Sequence, residues 1–165
     1  MSQAGSYFID RHAAEKAVGL ALPMIHEAMK QKEVGESGFL YIVIMDPLRG
    51  PAVSSFEEAI LYEYSVGDRS KWDADYAGFA RAKARVSWRN GMDGHLVQEL
   101  RPHMLAAGDT VLWGSVVVDG IVVAVSGANP WYDEAFAGTV AMCLRAVAKA
   151  GVVQARSKNL FLPLK

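Results

Sequence analysis

Four kinds of side chain in this sequence could do chemistry, and their spacing says how. The histidines are His12, His26, His95 and His103. None pairs with another at the i, i+4 spacing on one helix, and none has a cysteine companion, so a zinc site has no ligand set here. His12 and His26 fall on the polar stripe of an N-terminal helix and read as solvated. His95 and His103 flank an irregular region, where a lone imidazole can ligate iron in a haem or act as acid or base. Arg81, Arg85, Trp88 and Arg89 recur at i, i+4, i+7 and i+8, a cationic stripe that could clasp carboxylates or a planar ligand, or simply be a solvated helix face. Lys83 has a different phase, beside Phe79 and Val86 at the border of the apolar face. A lysine there either snorkels to water or reaches into a pocket. Ser126-Gly127 lies between a strand and a helix, where a hydroxyl and backbone amides can meet an anion or acyl group. Ala124 and Ala128 replace both glycines of a nucleophile elbow, and Asp133 and Glu134 follow in the first helical turns, so a local structural joint is the plainer reading of that pair.

Other classes find no support. The sequence has no Walker loop, no Gly-x-Gly-x-x-Gly after a strand and no Cys-x-x-Cys. A formal charge of −1, from 17 basic and 18 acidic residues spread along the chain, offers no field for nucleic acid or an anionic membrane. The most apolar run, 111–125, is interrupted by Asp119-Gly120 and falls short of the roughly 20 residues that span a bilayer. A single Cys143 and an N-terminal stretch, 1–12, without the pattern of a secretory signal point to a soluble protein of the cytoplasm.

The elements that must position these residues follow from periodicity. The chain has 165 residues, 52% of them apolar, enough for one domain spanning 1–165, with 152–165 as a C-terminal tail. Apolar residues recurring at three and four predict a helix over 8–32, with a kink where Pro23 presses on residue 19. The run 39–45 reads as a central strand without a polar face, and 58–66 as a strand with one face nearer solvent. A helix is predicted over 72–89, closed by Asn90-Gly91, and a short one over 94–100 capped by Asp93, with a further turn after Pro102. The stretch 109–149 organises the rest: a strand over 109–118, a type I′ turn at Asp119-Gly120, a strand over 121–127, and a helix that opens at Asn129-Pro130 and closes at Gly151. Strands kept together as local hairpins give an α+β fold, an antiparallel sheet with helices packed on it, ordered helix, two strands, one or two helices, strands, helix. The last helix is apolar on more than one side. Either both the sheet and a neighbouring helix cover it, or a second copy does, and a homo-oligomer is the expectation.

Arg81-Ala82-Lys83-Ala84 on a helix, a hairpin ending Val125-Ser126-Gly127, and Asp133 shortly into the closing helix resemble the pattern of the GlcG/HbpS family of small haem-associated proteins, over about residues 76–150. The resemblance implies a profilin-like fold, homo-oligomers and haem as a ligand. With it, Arg81, Lys83, Ser126 and Gly127 become ligand-binding candidates and His95 and His103 candidates for the haem iron. One departure stands out: members carry a glycine-rich segment with a proline at the start of the penultimate strand, and here the stretch is Leu112-Trp113-Gly114-Ser115-Val116, so that Trp113 would fill space a ligand would use. The function expected is small-molecule binding. The alternatives are an enzyme that degrades haem or acts on a small acid through Lys83 or a histidine, and a ligand-free interaction module.

Overall fold

The computed structural model describes residues 5–158 and 160–164; the first four residues, and positions 159 and 165 of the expected tail, lie outside them. The order is α1 (Arg11–Ala28), β1 (Leu40–Met45), α2 (Phe56–Ala59), β2 (Ile60–Val66), α3 (Tyr76–Asn90), α4 (Gly94–Leu100), β3 (Ser115–Val118), β4 (Ile121–Ser126) and α5 (Pro130–Arg156). The strands form one antiparallel sheet in the order β2-β1-β4-β3. This is the α+β architecture that the hairpin pattern implies.

Alternation along the two central strands divides the core into layers. Leu40, Ile42, Ile44, Val123 and Val125 face α1 and α5, where they meet Ala17, Ala21, Ile25, Phe136, Val140 and Leu144. Tyr41, Val43, Met45, Val122 and Ala124 face the other way, against Tyr76, Ala80 and Ala84 of α3 and Phe56 of α2. Every residue of β1 and of β4 is buried. That double burial explains why β1 reads as a strand without a polar face.

Several boundaries differ from those the sequence suggests. The stretch expected as one strand over 58–66 begins with a helical turn, because Ser55 and Glu58 form a reciprocal capping box that starts α2. The helix expected from 72 begins at Tyr76, where Asp75 accepts from Gly78 N and caps it. Trp72 stays outside as an edge-on partner of Tyr41 and Tyr76. The first helix is shorter than 8–32 and runs through Pro23 without a break. Only 115–118 of the expected 109–118 strand joins the sheet, because Gly114 takes φ +130° and turns the chain off the ladder. Asp93 does not cap α4; its carboxylate accepts from Val117 N on the free edge of β3, at 2.7 Å. Asn129 does not cap α5 either, since its amide donates to Glu33 O. The hairpin turn has the expected left-handed pair, Asp119 at φ 49° and Gly120 at φ 81°.

α5 continues past Gly151 for another turn and a half, and by length and composition it is apolar enough to cross a membrane. Its inner row, Phe136, Ala137, Val140, Ala141 and Leu144, is nevertheless spent on the sheet and α1. Trp131, Met142 and Val153 on the outer side are exposed.

Candidate functional site

The chemistry gathers where α3, α4 and the first turn of α5 meet the start of β3. Lys83 is on the sheet-facing side of α3 and only 2% exposed. Its ammonium donates to Asp133 Oδ2 at 2.8 Å and to Val125 O at 3.0 Å. Asp133, 1% exposed, sits in the first turn of α5, and its other oxygen accepts from Ala128 N at 2.8 Å. Burial is the largest influence on both groups. It pushes the Asp133 carboxyl up to about 6 and holds the Lys83 ammonium below its ordinary range, each against the attraction of the other. Lys83 therefore reaches inward rather than snorkelling.

The backbone has to pass close over this pair, and Gly114 makes that possible. A Cβ at this position would fall 2.6 Å from Val125 O and 2.9 Å from Lys83 Nζ. Position 127 is equally constrained: at φ +142°, a Cβ there would lie 2.0 Å from Phe39 O. Ser126 is buried at the end of β4, paired in the ladder with Tyr41. Ser126-Gly127 is thus the joint that feeds α5 its first turn, and Gly127 O is in turn held by the Ser37 hydroxyl at 2.8 Å.

The next residue of α5 takes a second partner. About 100° further round the helix, Glu134 Oε2 lies 2.5 Å from His95 Nδ1 on α4. The His95 ring rests against Trp113, 5.2 Å between centroids. With Nδ1–H donating to the carboxylate, Nε2 is the nitrogen left to accept, and no hydrogen bond to it forms among the described residues. Beside this dyad, Val111, Leu112, Trp113, Pro130 and Trp131 line an apolar mouth of about 190 Å³. Val111 and Trp131 are 69% and 57% exposed, a large apolar offer to solvent.

Of the residues singled out by sequence, Lys83 and His95 come together around 113–114, with Ser126 and Gly127 behind them. The others go elsewhere. Arg81 is at the opposite edge of the sheet, bound through two nitrogens to Glu63 at 2.6 and 2.7 Å. Arg85 lies over the Phe56 ring, and Arg89 clamps Asp109 and Met104 O, fixing the far end of the 109–114 segment. Trp88 packs edge-on against Phe56 and donates to Arg49 O. His103 is exposed in a 3-10 turn, and His12 and His26 are exposed on α1. Among the described residues no three of His, Cys, Asp and Glu come together as a metal site. Asp133, Glu134, Gly114 and Trp131 are the members sequence reasoning did not name as site residues. The signal for the two acids was present: they are the only carboxylates of an otherwise apolar helix.

Comparison with known proteins gives the fold its relatives. No protein-family model and no curated protein matches the chain. Solved structures do. Klebsiella pneumoniae ORFY, a DUF336 protein, superposes with a TM-score of 0.57 at 14% identity, over 88% of this chain and 97% of that one. In fold, the chain stands with ORFY. HbpS superposes at 0.51 with 20% identity, over 84% of this chain and 92% of that one. PduOC, solved as a haem complex, superposes at 0.50 with 16% identity, over 85% and 95%. The fold implied by Val125-Ser126-Gly127 and Asp133 is therefore the fold observed.

Proposed function

We propose that this protein binds a planar, largely apolar small molecule of the haem class at the mouth formed by 111–113 and the start of α5, with His95 as its polar contact. The observation that carries this reading is the His95–Glu134 dyad beside that mouth. A histidine whose Nδ1–H is spent on a carboxylate is held in one orientation and one tautomer with Nε2 left as the ligating nitrogen, which is the usual support for a metal-ligating imidazole. The apolar lining and Trp113 suit a macrocycle face, and the neighbours in fold include a protein solved with haem.

The donor set fits haem; the volume fits only part of it. A cavity of about 190 Å³ is below the roughly 300–1,000 Å³ that encloses a drug-sized ligand. Trp113, half-buried against His95, takes some of the space. The remainder of a porphyrin would lie along exposed Val111, Leu112 and Trp131, and we propose that a second copy, approaching the outer row of α5, closes over it. When bound, haem would supply an iron centre for ligand or redox chemistry; His95 would hold it, and Glu134 would hold His95. The reading carries a reducing, cytoplasmic setting with it, in keeping with the single, half-buried Cys143. Lys83 does not suit the enzyme alternative, because its ammonium is enclosed and two of its three N–H donors are engaged by Asp133 and Val125 O.

Titration with haemin tests this. A saturable change in the Soret band is expected, lost in His95→Ala and weakened about tenfold in Glu134→Gln. No saturable change, or one indifferent to His95→Ala, would refute the reading. Light scattering tests the second copy: a monodisperse monomer at the concentration where haemin saturates would remove it.

A further inference from the structure

The charge of the chain is even only as a whole. All 18 acidic residues lie within 1–134, and 135–165 carries Arg145, Lys149, Arg156, Lys158 and Lys165 with no acid among them. This stretch forms most of α5 and the segment after it. Beyond Leu144 no described residue is buried. A helix of 27 residues is about 40 Å long, roughly twice the length of the six-residue β4 beside it, so its last turns pass the end of the sheet.

What this end offers is both apolar and cationic. Met142, Arg145, Lys149, Val153 and Arg156 follow one another at three and four, one outward stripe of α5. The segment after the helix adds Leu160, Phe161 and Leu164, which are 96%, 87% and 101% exposed. Single exposed apolar residues are ordinary, but a run of them marks a contact surface. Leu160 and Phe161 line, with Phe8, Val152 and Arg156 among others, a cleft of about 170 Å³, so the apolar and cationic groups converge. Acids are present here, and most are offset: Asp119 pairs with Arg145, Glu15 with Arg11, and Asp46, beside Ser6, with Arg49. Asp10, the N-cap of α1, is then one acid against Lys16, Lys149, Arg156 and Lys158. Those four cations have no carboxylate partner among the described residues.

We infer that this end of the protein docks on an anionic lipid bilayer, with Leu160, Phe161 and Leu164 entering the boundary between headgroups and acyl chains and Lys149, Arg156 and Lys158 meeting lipid phosphates. α5 lies on the bilayer and does not cross it, because its inner row from Phe136 to Leu144 belongs to the core. A second copy answers only half of the surface. The stretch 135–165 has no acid, so its contact with itself sets Lys149, Arg156 and Lys158 against like charges. A bilayer supplies an apolar interior and a layer of phosphates together. The surface is at the opposite end of α5 from the mouth beside His95, and the inference is independent of what binds there.

The test is co-sedimentation of the full-length protein with vesicles of phosphatidylcholine alone or mixed with phosphatidylglycerol, together with amide exchange. Binding to the mixed vesicles is expected, weakening as salt rises and slowing exchange over 145–158, with little binding to phosphatidylcholine alone. Each of Lys149→Gln, Arg156→Gln and Lys158→Gln should weaken partition about fivefold. Leu160→Ser combined with Phe161→Ser should weaken it about tenfold, while Phe161→Trp binds as wild type. All these side chains are exposed and outside the core, and an unchanged Tm checks that each variant is folded. Equal binding to phosphatidylcholine, binding indifferent to Leu160→Ser with Phe161→Ser, or unchanged exchange over 145–158 would each overturn the proposal. So would protection of 145–158 in a stable lipid-free oligomer seen by light scattering, which would make this end a contact between copies.

Discussion

The buried Lys83–Asp133 pair makes the sharpest quantitative demand on the structure. Both side chains are 2% exposed, and the pair is completed by Val125 O and Ala128 N, so removing either partner strands the other without water. Lys83→Met leaves a buried carboxylate, and losses of this kind cost about 3–5 kcal/mol. For a chain of 165 residues that corresponds to a fall of roughly 10 °C in Tm. The cost must also depend on pH. Asp133 has a folded value raised from 3.8 to about 6, so its protonated form is favoured in the folded protein. The stability linked to this group is then greatest below about 4 and is lost as pH rises through about 6. In Lys83→Met the carboxyl is raised further, so the deficit relative to wild type is largest above neutrality and shrinks toward pH 5, where the proton quenches the stranded charge. Replacing both partners, Lys83→Met with Asp133→Leu, removes both desolvation costs and is expected to lie within about 1 kcal/mol of wild type or above it. Urea unfolding followed by tryptophan fluorescence at pH 5, 6, 7 and 8 reads all three proteins. A single-variant deficit below about 1 kcal/mol at neutral pH, or one that does not change with pH, would refute the reasoning and mean that water reaches the pair.

Two other substitutions test the frame around the site. Gly114→Ala forces a Cβ into Val125 O and Lys83 Nζ at φ +130°, and is expected to cost about 2–4 kcal/mol and to shift Trp113 emission; a variant as stable as wild type, with an unchanged spectrum, would mean the segment is not held as described. Ser55→Ala removes the capping box that turns 56–59 into a helix, and a loss of about 1 kcal/mol by thermal melting is expected, with haemin titration unaffected. Stability within a few tenths of wild type would place the start of β2 under other control.

Periodicity and turn chemistry were enough for the sheet and the large helices, since β1 and β4 lie between two layers and α1 and α5 share one apolar seam. Two of the errors fall where a single long-range bond overrides a local preference, and others where a cap three residues away moves a helix start. Asp93 and Asn129 are good caps by type, yet each is drawn to a backbone atom far along the chain, Val117 N and Glu33 O. Trp72 has the phase of the helix that follows it, but Asp75 caps later and leaves it to pack edge-on against Tyr41. The arginine stripe was visible as a stripe; its dispersal among Glu63, Glu57 and Asp109 was not, because all three partners come from distant segments.

Asp133 and Glu134 carry the same lesson into the site. At a helix start, two consecutive acids read as complements to the macrodipole, and nothing local distinguishes them. Folding separates them by a helical step: one goes inward to Lys83 and the other sideways to His95. Between the two pairs runs the 113–114 segment, with Trp113 on the histidine and Gly114 on the lysine. The inner pair is tightly enclosed, and the outer one is partly exposed and touches the mouth through Trp113. The orientation of His95 therefore depends on α5 being seated by Asp133, and a change at the inner pair should be read at the outer one. In Lys83→Met at pH 7, haemin affinity relative to wild type at the same pH should fall along with stability, and the two deficits should shrink together toward pH 5; an affinity ratio that stays constant while the stability deficit changes would separate the two pairs.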